Sequence, residues 1–258
     1  MQSLTRDGVK LFFEEAGSGD PPVLLVHGWT CDHTYMAPQF EHFRRSHRVI
    51  AVDLRGHGQS DKPQQDYTMS AFADDLAWLC GQRQVKKPVV IGHSMGGVIA
   101  VELAARFPEV PGAVVTLDSP IVPPQELLDG VAAPLIAALR GPDYREVQRK
   151  MVAELLFLPT DDPARKARIV EAMSSAPQHV MASAFAGIFC DTAASAAACK
   201  VPLLILMAAQ PLSDVTRLRQ VCPAAVIGQT VGAGHFHQLE VPEQVNAMIG
   251  RFLTVSLS

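Results

Sequence analysis

One serine lies in a local sequence that could make it a nucleophile. Residues 92–97 read Gly-His-Ser-Met-Gly-Gly, so Ser94 occupies a G-x-S-x-G pattern that follows the apolar run 88–91 and precedes a helical pattern at 95–107. A strand that turns sharply into a helix strains the serine backbone, and small glycine neighbours let the turn close while Oγ projects from it. The alternative is a glycine-rich turn around an inert serine. The combination of strand, motif and helix favours a nucleophile.

A histidine near the C-terminus is the candidate general base. Residues 232–236 read Gly-Ala-Gly-His-Phe and follow the apolar run 225–231. A serine hydroxyl needs a neighbouring imidazole to become nucleophilic near neutral pH, so we expect His235 to serve Ser94. His237 is the nearby competitor. Its position just before the last helix predicts a solvated or capping residue instead.

Short apolar runs alternate with longer helical patterns, which predicts an α/β fold with a mostly parallel sheet and flanking helices. The runs are apolar throughout, as expected of strands covered on both faces. They span residues 23–28, 48–54, 88–94, 113–119, 202–208 and 225–231, and helices are expected at 69–83, 95–107, 214–221 and 242–254. An earlier segment at 11–17 alternates more and is expected to pair at the sheet edge. Glu14 and Glu15 would then be edge residues rather than a catalytic pair, because adjacent strand residues face opposite sides.

The β pattern disappears between residue 120 and residue 199. This segment is helical and alanine-rich, and seven prolines after Pro120 interrupt it. It predicts a core formed by residues 1–119 and 200–258, with a helical lid, or cap, inserted at 120–199 after the sixth strand. Amphipathic pieces such as 144–158 would pack over the carboxyl ends of the strands, where open α/β sheets bind ligands. A lid of this kind usually supplies the substrate pocket.

Composition and charge exclude several classes of protein. The 258 residues are 48% hydrophobic, which is ample for a buried core. Charged residues make up 19% and the net charge is −4, so no basic face is available for nucleic acid. The N-terminal residues lack an apolar signal core, and no run approaches the ~20 apolar residues that span a bilayer, so we expect a cytoplasmic protein without a membrane partner. The five cysteines are scattered and include no CxxC pair, so neither a disulfide nor a metal site is expected.

Three segments together resemble the α/β-hydrolase superfamily, and the resemblance covers nearly the whole chain outside the insertion. They are the motif at 92–97, the His-Gly-Trp sequence at 27–29 and the sequence VDLRGHGQS at 52–60. The resemblance implies a serine hydrolase that cleaves a carboxylic ester or a related acyl bond through a Ser-His-Asp triad, without cofactor. It also implies that the backbone N–H groups of Trp29 and Met95 form an oxyanion hole, which stabilises the charge of a tetrahedral intermediate.

The acid of the triad has two candidates. Most members of the superfamily carry an Asp in the loop after the penultimate strand, where this chain has Gln210 and Pro211. Asp214 comes later, at a position typical of a helix N-cap. Asp118 ends an earlier strand, as the acid does in some superfamily members, and its loop would lie on the same sheet edge as the loop of His235. We favour Asp118 and keep Asp214 as the alternative acid.

A closer likeness leaves a second function open. Residues 28–33 and the loop around Gln210 resemble the cofactor-independent ring-cleaving dioxygenases of the superfamily, which also take the acid from the earlier strand. This resemblance implies deprotonation of a hydroxyquinolone-type heteroaromatic substrate that then reacts with oxygen. Those enzymes carry His directly after the serine, whereas this chain has Met95. The Ser-Met-Gly-Gly sequence is ordinary among esterases, so the hydrolase is the leading prediction.

The expected partner is a small-molecule substrate with an apolar part. Apolar residues of the insertion suggest a hydrophobic, medium-sized pocket, although helical spacing alone does not separate pocket residues from residues that pack the insertion onto the core. The candidate pocket residues are His93, His33, Phe185, Phe189 and Phe236. His93 and His33 are the candidates that could make polar contacts with a substrate.

Overall fold

The computed structural model describes residues 2–257 and contains an eight-stranded sheet with the strand order β1-β2-β4-β3-β5-β6-β7-β8. The strands are β1 (Gln2–Arg6), β2 (Val9–Ala16), β3 (Val23–Val26), β4 (Val49–Val52), β5 (Val89–His93), β6 (Ala113–Leu117), β7 (Leu203–Met207) and β8 (Val226–Gln229). The pairs β1–β2 and β2–β4 are antiparallel. The other five pairs are parallel, namely β4–β3, β3–β5, β5–β6, β6–β7 and β7–β8. The predicted fold class is therefore correct.

Helices pack on both faces of this sheet. Outside the segment between β6 and β7 they are α1 (Ala37–Phe43), α2 (Met69–Gln82), α3 (Met95–Arg106), α10 (Val215–Val221), α11 (His237–Glu240) and α12 (Pro242–Ser256). Successive residues of β3 point to opposite faces. Leu24 and Val26 belong to the core that contains residues of α2 and α3, whereas Val23 and Leu25 belong to the core that contains residues of α1 and α12. The parallel strands β3 to β7 are buried on both faces, which explains why their sequences are largely apolar.

The segment expected at the sheet edge is an interior strand. β2 pairs with β1 on one side and with β4 on the other, so β1 forms the edge. β1 was not predicted from the sequence because this strand contains only one large apolar residue. Glu15 is also not an exposed edge residue, since Oε1 lies 2.6 Å from an Arg48 nitrogen and Oε2 lies 2.7 Å from an Arg83 nitrogen. A half-buried carboxylate between two guanidinium groups joins β2 to its neighbours.

The chain between β6 and β7 forms a series of helices, here called the helical insertion (residues 120–199). Its helices are α4 (Gln125–Leu127), α5 (Ala133–Ala138), α6 (Tyr144–Leu155), α7 (Pro163–Ser174), α8 (Gln178–Ile188) and α9 (Thr192–Ala197), with a π-helical turn, Leu128–Ala132, between α4 and α5. Several begin at a proline or at an Asp side chain that accepts a backbone N–H, as Asp162 does for Arg165 at the start of α7. No helix within residues 2–257 has the length and apolar character needed to cross a bilayer.

Candidate active site

Ser94 lies at the sharp turn between β5 and α3. Its backbone has φ +53° and ψ −118°, a conformation that residues other than glycine rarely adopt. The Ser94 N–H donates to the Leu117 carbonyl of β6 at 2.9 Å, and the Ser94 carbonyl accepts from Gly97 at 3.0 Å. Strand pairing and the first helical turn therefore hold the strained residue from both sides.

The glycines of the motif are required by space. A Cβ on Gly96 would lie 2.3 Å from the Val26 carbonyl oxygen, and a Cβ on Gly92 would lie 2.1 Å from the Gly96 carbonyl oxygen. A Cβ on Gly97 would lie 2.0 Å from Ser119 Oγ. Because these neighbours are largely backbone atoms, they cannot move aside without moving the strands. The close approach of α3 to β3 and β5 therefore depends on residues without side chains.

His235 and Asp118 form a buried hydrogen-bonded pair. His235 Nδ1 donates to Asp118 Oδ2 at 2.7 Å, and Asp118 Oδ1 accepts the Ala208 N–H at 3.1 Å. The two side chains are 6% and 1% exposed, so water does not compete for these bonds. Asp118 has φ +42°, which turns the chain at the end of β6. The alternative acid, Asp214, instead accepts the N–H groups of Thr216 and Arg217 at the start of α10.

Ser94 and His235 line the same cavity, which lies between the sheet and the helical insertion. Within residues 2–257, Ser94 Oγ makes no hydrogen bond, so the hydroxyl and the imidazole line one cavity without being joined. Hydrogen bonds of this kind are often long before a substrate binds. The arrangement places a hydroxyl group, a carboxylate and an imidazole at the carboxyl ends of β5 and β6 and in the loop after β8.

The cavity encloses about 730 Å³ of space, including its opening to solvent, and its lining is apolar. Phe185, Phe189, Phe236 and His93, which the sequence suggested for a substrate pocket, are part of this lining. The sequence did not single out Cys31, Pro120, Val131, Met173 and Leu212, which also line it. Single apolar residues in loops and helices carry no periodic signal that separates a cavity wall from the core. No Asp, Glu, Lys or Arg belongs to the described lining.

His33 was expected in the pocket, and this prediction is wrong. His33 Nδ1 donates to Asp53 Oδ1 at 2.8 Å, its N–H donates to the same oxygen at 2.7 Å, and its ring packs against Phe12. The hydrogen bond to Asp53 raises the pKa of His33, although partial burial opposes this shift. The ring is therefore turned toward a carboxylate outside the cavity, and it does not line the cavity.

The same residues are the candidate ligands for a metal ion. Within the described chain, His33, Asp53 and Asp32 form the group whose ligand atoms lie close enough to share an ion. Asp53 Oδ2 already accepts the Gln59 N–H, and Asp32 Oδ1 accepts the Thr34 N–H. Because backbone groups and an imidazole N–H satisfy these oxygens, the cluster has a structural explanation as the support of the loop after β3.

Four buried histidines are kept in their neutral form. Burial lowers the pKa of His57 to about 3 and that of His237 to about 4. Burial also lowers the pKa of His27 and, together with the nearby imidazole of His235, that of His93. His237 is fully buried and its Nδ1 lies 2.9 Å from Thr230 Oγ1, so the prediction that it is solvated or capping is wrong.

His93 contacts both the backbone and the ring of His235. Its Nε2 donates to the His235 carbonyl at 3.0 Å, and the two imidazole rings lie 4.7 Å apart between centroids. His93 Nδ1 has no protein partner within residues 2–257. A neutral ring in contact with both Ser94, its neighbour in sequence, and the loop of His235 links the two halves of the site.

The loop after β3 supplies the remaining polar groups. Within residues 2–257, neither the Trp29 N–H nor the Met95 N–H has a protein acceptor. Trp29 Nε1 donates to the Met181 carbonyl of α8 at 2.9 Å, and the indole lies 4.7 Å from the Phe185 ring. The next residue, Thr30, has φ +52°. Two backbone donors, at Trp29 and at the residue after Ser94, are thus unpaired, while the indole is fixed against the insertion.

Fold and site together define a class of protein. A sequence model described as the Alpha/beta hydrolase family matches residues 23–248, and the chain belongs to this family. The match includes the strained serine turn and the buried pair of His235 and Asp118. The assignment agrees with the eight-stranded, mostly parallel sheet.

Particular relatives are enzymes of several kinds. The 2-(acetamidomethylene)succinate hydrolase of Mesorhizobium japonicum is 29% identical over 262 residues, which cover 95% of this chain and 92% of that protein. The solved structure of a thermophilic esterase from Thermogutta terrifontis matches with a TM-score of 0.87 and 27% identity over the full length of both chains. An uncharacterised protein of Mycobacterium tuberculosis is 38% identical over 117 residues. The chain spans only 32% of the length of that protein. It also spans about a third of the length of several other curated relatives.

Proposed function

We propose that this hydrolase cleaves carboxylic esters, or closely related acyl bonds, through Ser94, His235 and Asp118. The observation that carries the proposal is the 2.7 Å bond between His235 and Asp118, together with a serine held at φ +53° that lines the same cavity as His235. Asp118 would fix the tautomer of His235, so that Nε2 is free to accept the Ser94 proton.

The reaction would proceed in two halves. Ser94 Oγ attacks the acyl carbonyl as His235 takes its proton, and the N–H groups of Trp29 and Met95 stabilise the oxyanion. The tetrahedral intermediate then collapses, His235 returns the proton to the leaving alcohol, and an acyl-enzyme forms at Ser94. Water, activated by His235, cleaves the acyl-enzyme by the reverse path. The relatives named as esterases and hydrolases support this reaction class.

The lining of the cavity supports a neutral, apolar acyl group. It contains aromatic and aliphatic side chains and no charged side chain among the described residues. An unpaired carboxylate on the substrate would lose its hydration there without gaining an ionic partner. The succinate derivative named for the Mesorhizobium hydrolase is a dicarboxylate, so we expect this chain to act on a different, uncharged acyl group.

Turnover of matched esters tests the proposal. The wild-type protein should hydrolyse p-nitrophenyl hexanoate, and Ser94→Ala should lower kcat by roughly 10⁴-fold or more, because the residual rate would come from binding and the oxyanion donors alone. The p-nitrophenyl monoester of adipate has the same acyl length with a terminal carboxylate. Its kcat/KM should be roughly 100-fold lower than that of the hexanoate ester. Full turnover by Ser94→Ala contradicts the proposal.

The same preparations separate hydrolysis from the dioxygenase alternative. Oxygen uptake with a hydroxyquinolone is measured beside ester cleavage. We expect ester cleavage without oxygen uptake. Oxygen uptake with little ester cleavage would assign the chain to the ring-cleaving branch, with His235 as the base that deprotonates the ring hydroxyl.

A further inference from the structure

The loop that carries His235 is attached to the helical insertion by backbone hydrogen bonds. The His235 N–H donates to the Leu156 carbonyl at 3.2 Å, and the N–H of the preceding residue, Gly234, donates to Asp161 Oδ1 at 3.3 Å. Leu156 and Asp161 belong to the connection between α6 and α7. The backbone of the candidate base is therefore held by the insertion, while its side chain is held by Asp118 of the core.

Asp161 is the polar centre of this attachment. The residue is 9% exposed, and its Oδ2 accepts the Leu158 N–H at 2.8 Å. The Asp161 N–H in turn donates to the Leu158 carbonyl at 3.1 Å. One carboxylate thus binds an amide of its own turn and an amide of the catalytic loop, and no Lys or Arg within residues 2–257 pairs with it.

Gly234 is matched to this carboxylate. A Cβ at Gly234 would lie 2.4 Å from Asp161 Oδ2 and 3.2 Å from the Leu156 carbonyl oxygen. The backbone of Gly234 does not lie in the left-handed region, so space rather than conformation requires glycine. The loop of His235 approaches the insertion closely because that side chain is missing.

Two further contacts strengthen the same junction. Phe157 stacks on Phe236 with 5.3 Å between ring centroids and 28° between ring planes. Arg165 at the start of α7 forms an ion pair with Glu240 of α11. The residues before and after His235 are therefore both in contact with the same connection of the insertion.

We propose that Asp161 is a positioning residue, which holds the loop of His235 against the helical insertion so that the imidazole stays on Asp118 and faces Ser94. Asp161 does not contact the reacting atoms and acts through Gly234. The inference rests on the proposed function of His235. On this proposal, His235 is correctly placed only when the helical insertion is packed against its loop.

The test compares Asp161→Ala, Asp161→Asn and a matched control. The control is Asp162→Ala, which removes the neighbouring carboxylate that caps α7 at 2.6 Å but does not reach the loop of His235. Values of kcat and KM are measured with p-nitrophenyl hexanoate. A second measurement is the far-downfield proton resonance of His235 Nδ1–H in its hydrogen bond to Asp118, which is observed whether or not the protein cleaves an ester.

We expect Asp161→Ala to lower kcat by about 10- to 100-fold with KM changed less than about threefold, because a displaced base affects the chemical step more than binding. Its downfield proton signal should broaden or disappear. Asp161→Asn should lose less activity than Asp161→Ala, since its single amide oxygen can accept the Gly234 N–H while the contact with the Leu158 N–H is lost. Asp162→Ala should keep both the signal and kcat. Equal behaviour of Asp161→Ala and Asp162→Ala would overturn the proposal.

If Asp161→Ala does not fold, a variant of its partner, Gly234, tests the same contact. Gly234→Ala places a methyl group against the Asp161 carboxylate, so we expect a similar loss of kcat and of the proton signal in a folded protein. A Gly234→Ala protein with wild-type kcat and signal would overturn the proposal. If the wild type lacks turnover that depends on Ser94, the proposed function fails, and the proton signal still tests whether Asp161 positions His235.

Discussion

At the scale of single residues, both oxygens of the Asp118 carboxylate are engaged. Oδ2 binds His235 Nδ1 and Oδ1 binds the Ala208 amide, so the carboxylate cannot rotate without breaking a bond. A fixed acceptor at Nδ1 selects the tautomer whose Nε2 is basic. Asp214 satisfies the first amides of α10 instead. Removal of the Asp118 carboxylate should therefore affect kcat, whereas removal of the Asp214 carboxylate should affect the free energy of unfolding.

Asp118→Asn should lower kcat by about 10⁴-fold, because the amide no longer selects the required tautomer of His235. Asp214→Ala should leave kcat within about twofold and lower the free energy of unfolding by about 1 kcal/mol, through loss of the helix cap. Ester hydrolysis and urea unfolding of both variants provide the measurements. Loss of turnover in Asp214→Ala, with Asp118→Asn active, would assign the acid to Asp214.

Some candidate site residues lie in recognisable local motifs, whereas others depend on contacts with residues far away in the sequence. Ser94 and His235 lie in short motifs that combine glycines with a strand and a helix or loop, so the local sequence indicates their roles. His33 was misplaced because a histidine next to a pocket loop gives no signal of its distant partner, Asp53. Asp161 was missed for the same reason, since its contact with Gly234 joins residues 73 positions apart.

At the scale of elements, the serine turn depends on glycines that let α3 approach the sheet. The Val26 and His27 carbonyl oxygens lie 2.3 and 2.6 Å from the position of a Cβ on Gly96. Gly250 in α12 is a contrasting position, where a Cβ would meet no atom within 4 Å. One glycine is required by packing and the other is not.

Gly96→Ala should lower the free energy of unfolding by about 1–3 kcal/mol and reduce kcat, because overpacking displaces the turn that carries Ser94. Gly250→Ala, the matched control, should raise the free energy of unfolding by about 0.5–1 kcal/mol through better helix propensity and leave kcat unchanged. Urea unfolding and ester hydrolysis check both variants. Equal stability of the two alanine variants would contradict the packing argument.

Most elements of the fold could be predicted, because the five strands β3 to β7 are buried on both faces and therefore consist largely of apolar residues. The four predicted helices are present within two residues of their expected ends. β1 was missed because it is an edge strand with a largely polar sequence, and α1 and α11 are too short to show a helical period. The loss of the β pattern indicated the helices between β6 and β7, but it did not indicate their contacts.

At the scale of the whole molecule, the buried histidines link stability to pH. In the unfolded chain each takes up a proton near pH 6.5. In the folded protein the pKa of His57 is about 3 and that of His237 about 4, and those of His27 and His93 are also lowered. As the pH falls below about 6.5, the unfolded state binds protons that the folded state excludes, so stability is lost toward pH 4.

The free energy of unfolding should therefore fall by roughly 3 kcal/mol or more between pH 7 and pH 5. His33 offsets a small part of this loss, because its raised pKa adds stability as the pH falls from 7 toward and below 6.5. His237→Gln should reduce the fall between pH 7 and pH 5 by roughly 2 kcal/mol, because this variant lacks the imidazole that the unfolded chain protonates. Urea unfolding at several pH values measures both quantities. Equal slopes for the two proteins would show that His237 does not contribute.

Labelling with a fluorophosphonate tests the central claim most directly, since the reagent reacts with a serine that an imidazole activates. The phosphorus atom should bond to Ser94 Oγ with loss of fluoride, and peptide mass spectrometry should locate the label at Ser94 alone. His235→Ala should slow the labelling strongly, because the base that accepts the proton is missing. A wild-type protein that stays unlabelled at Ser94, or that labels equally fast without His235, would contradict the account.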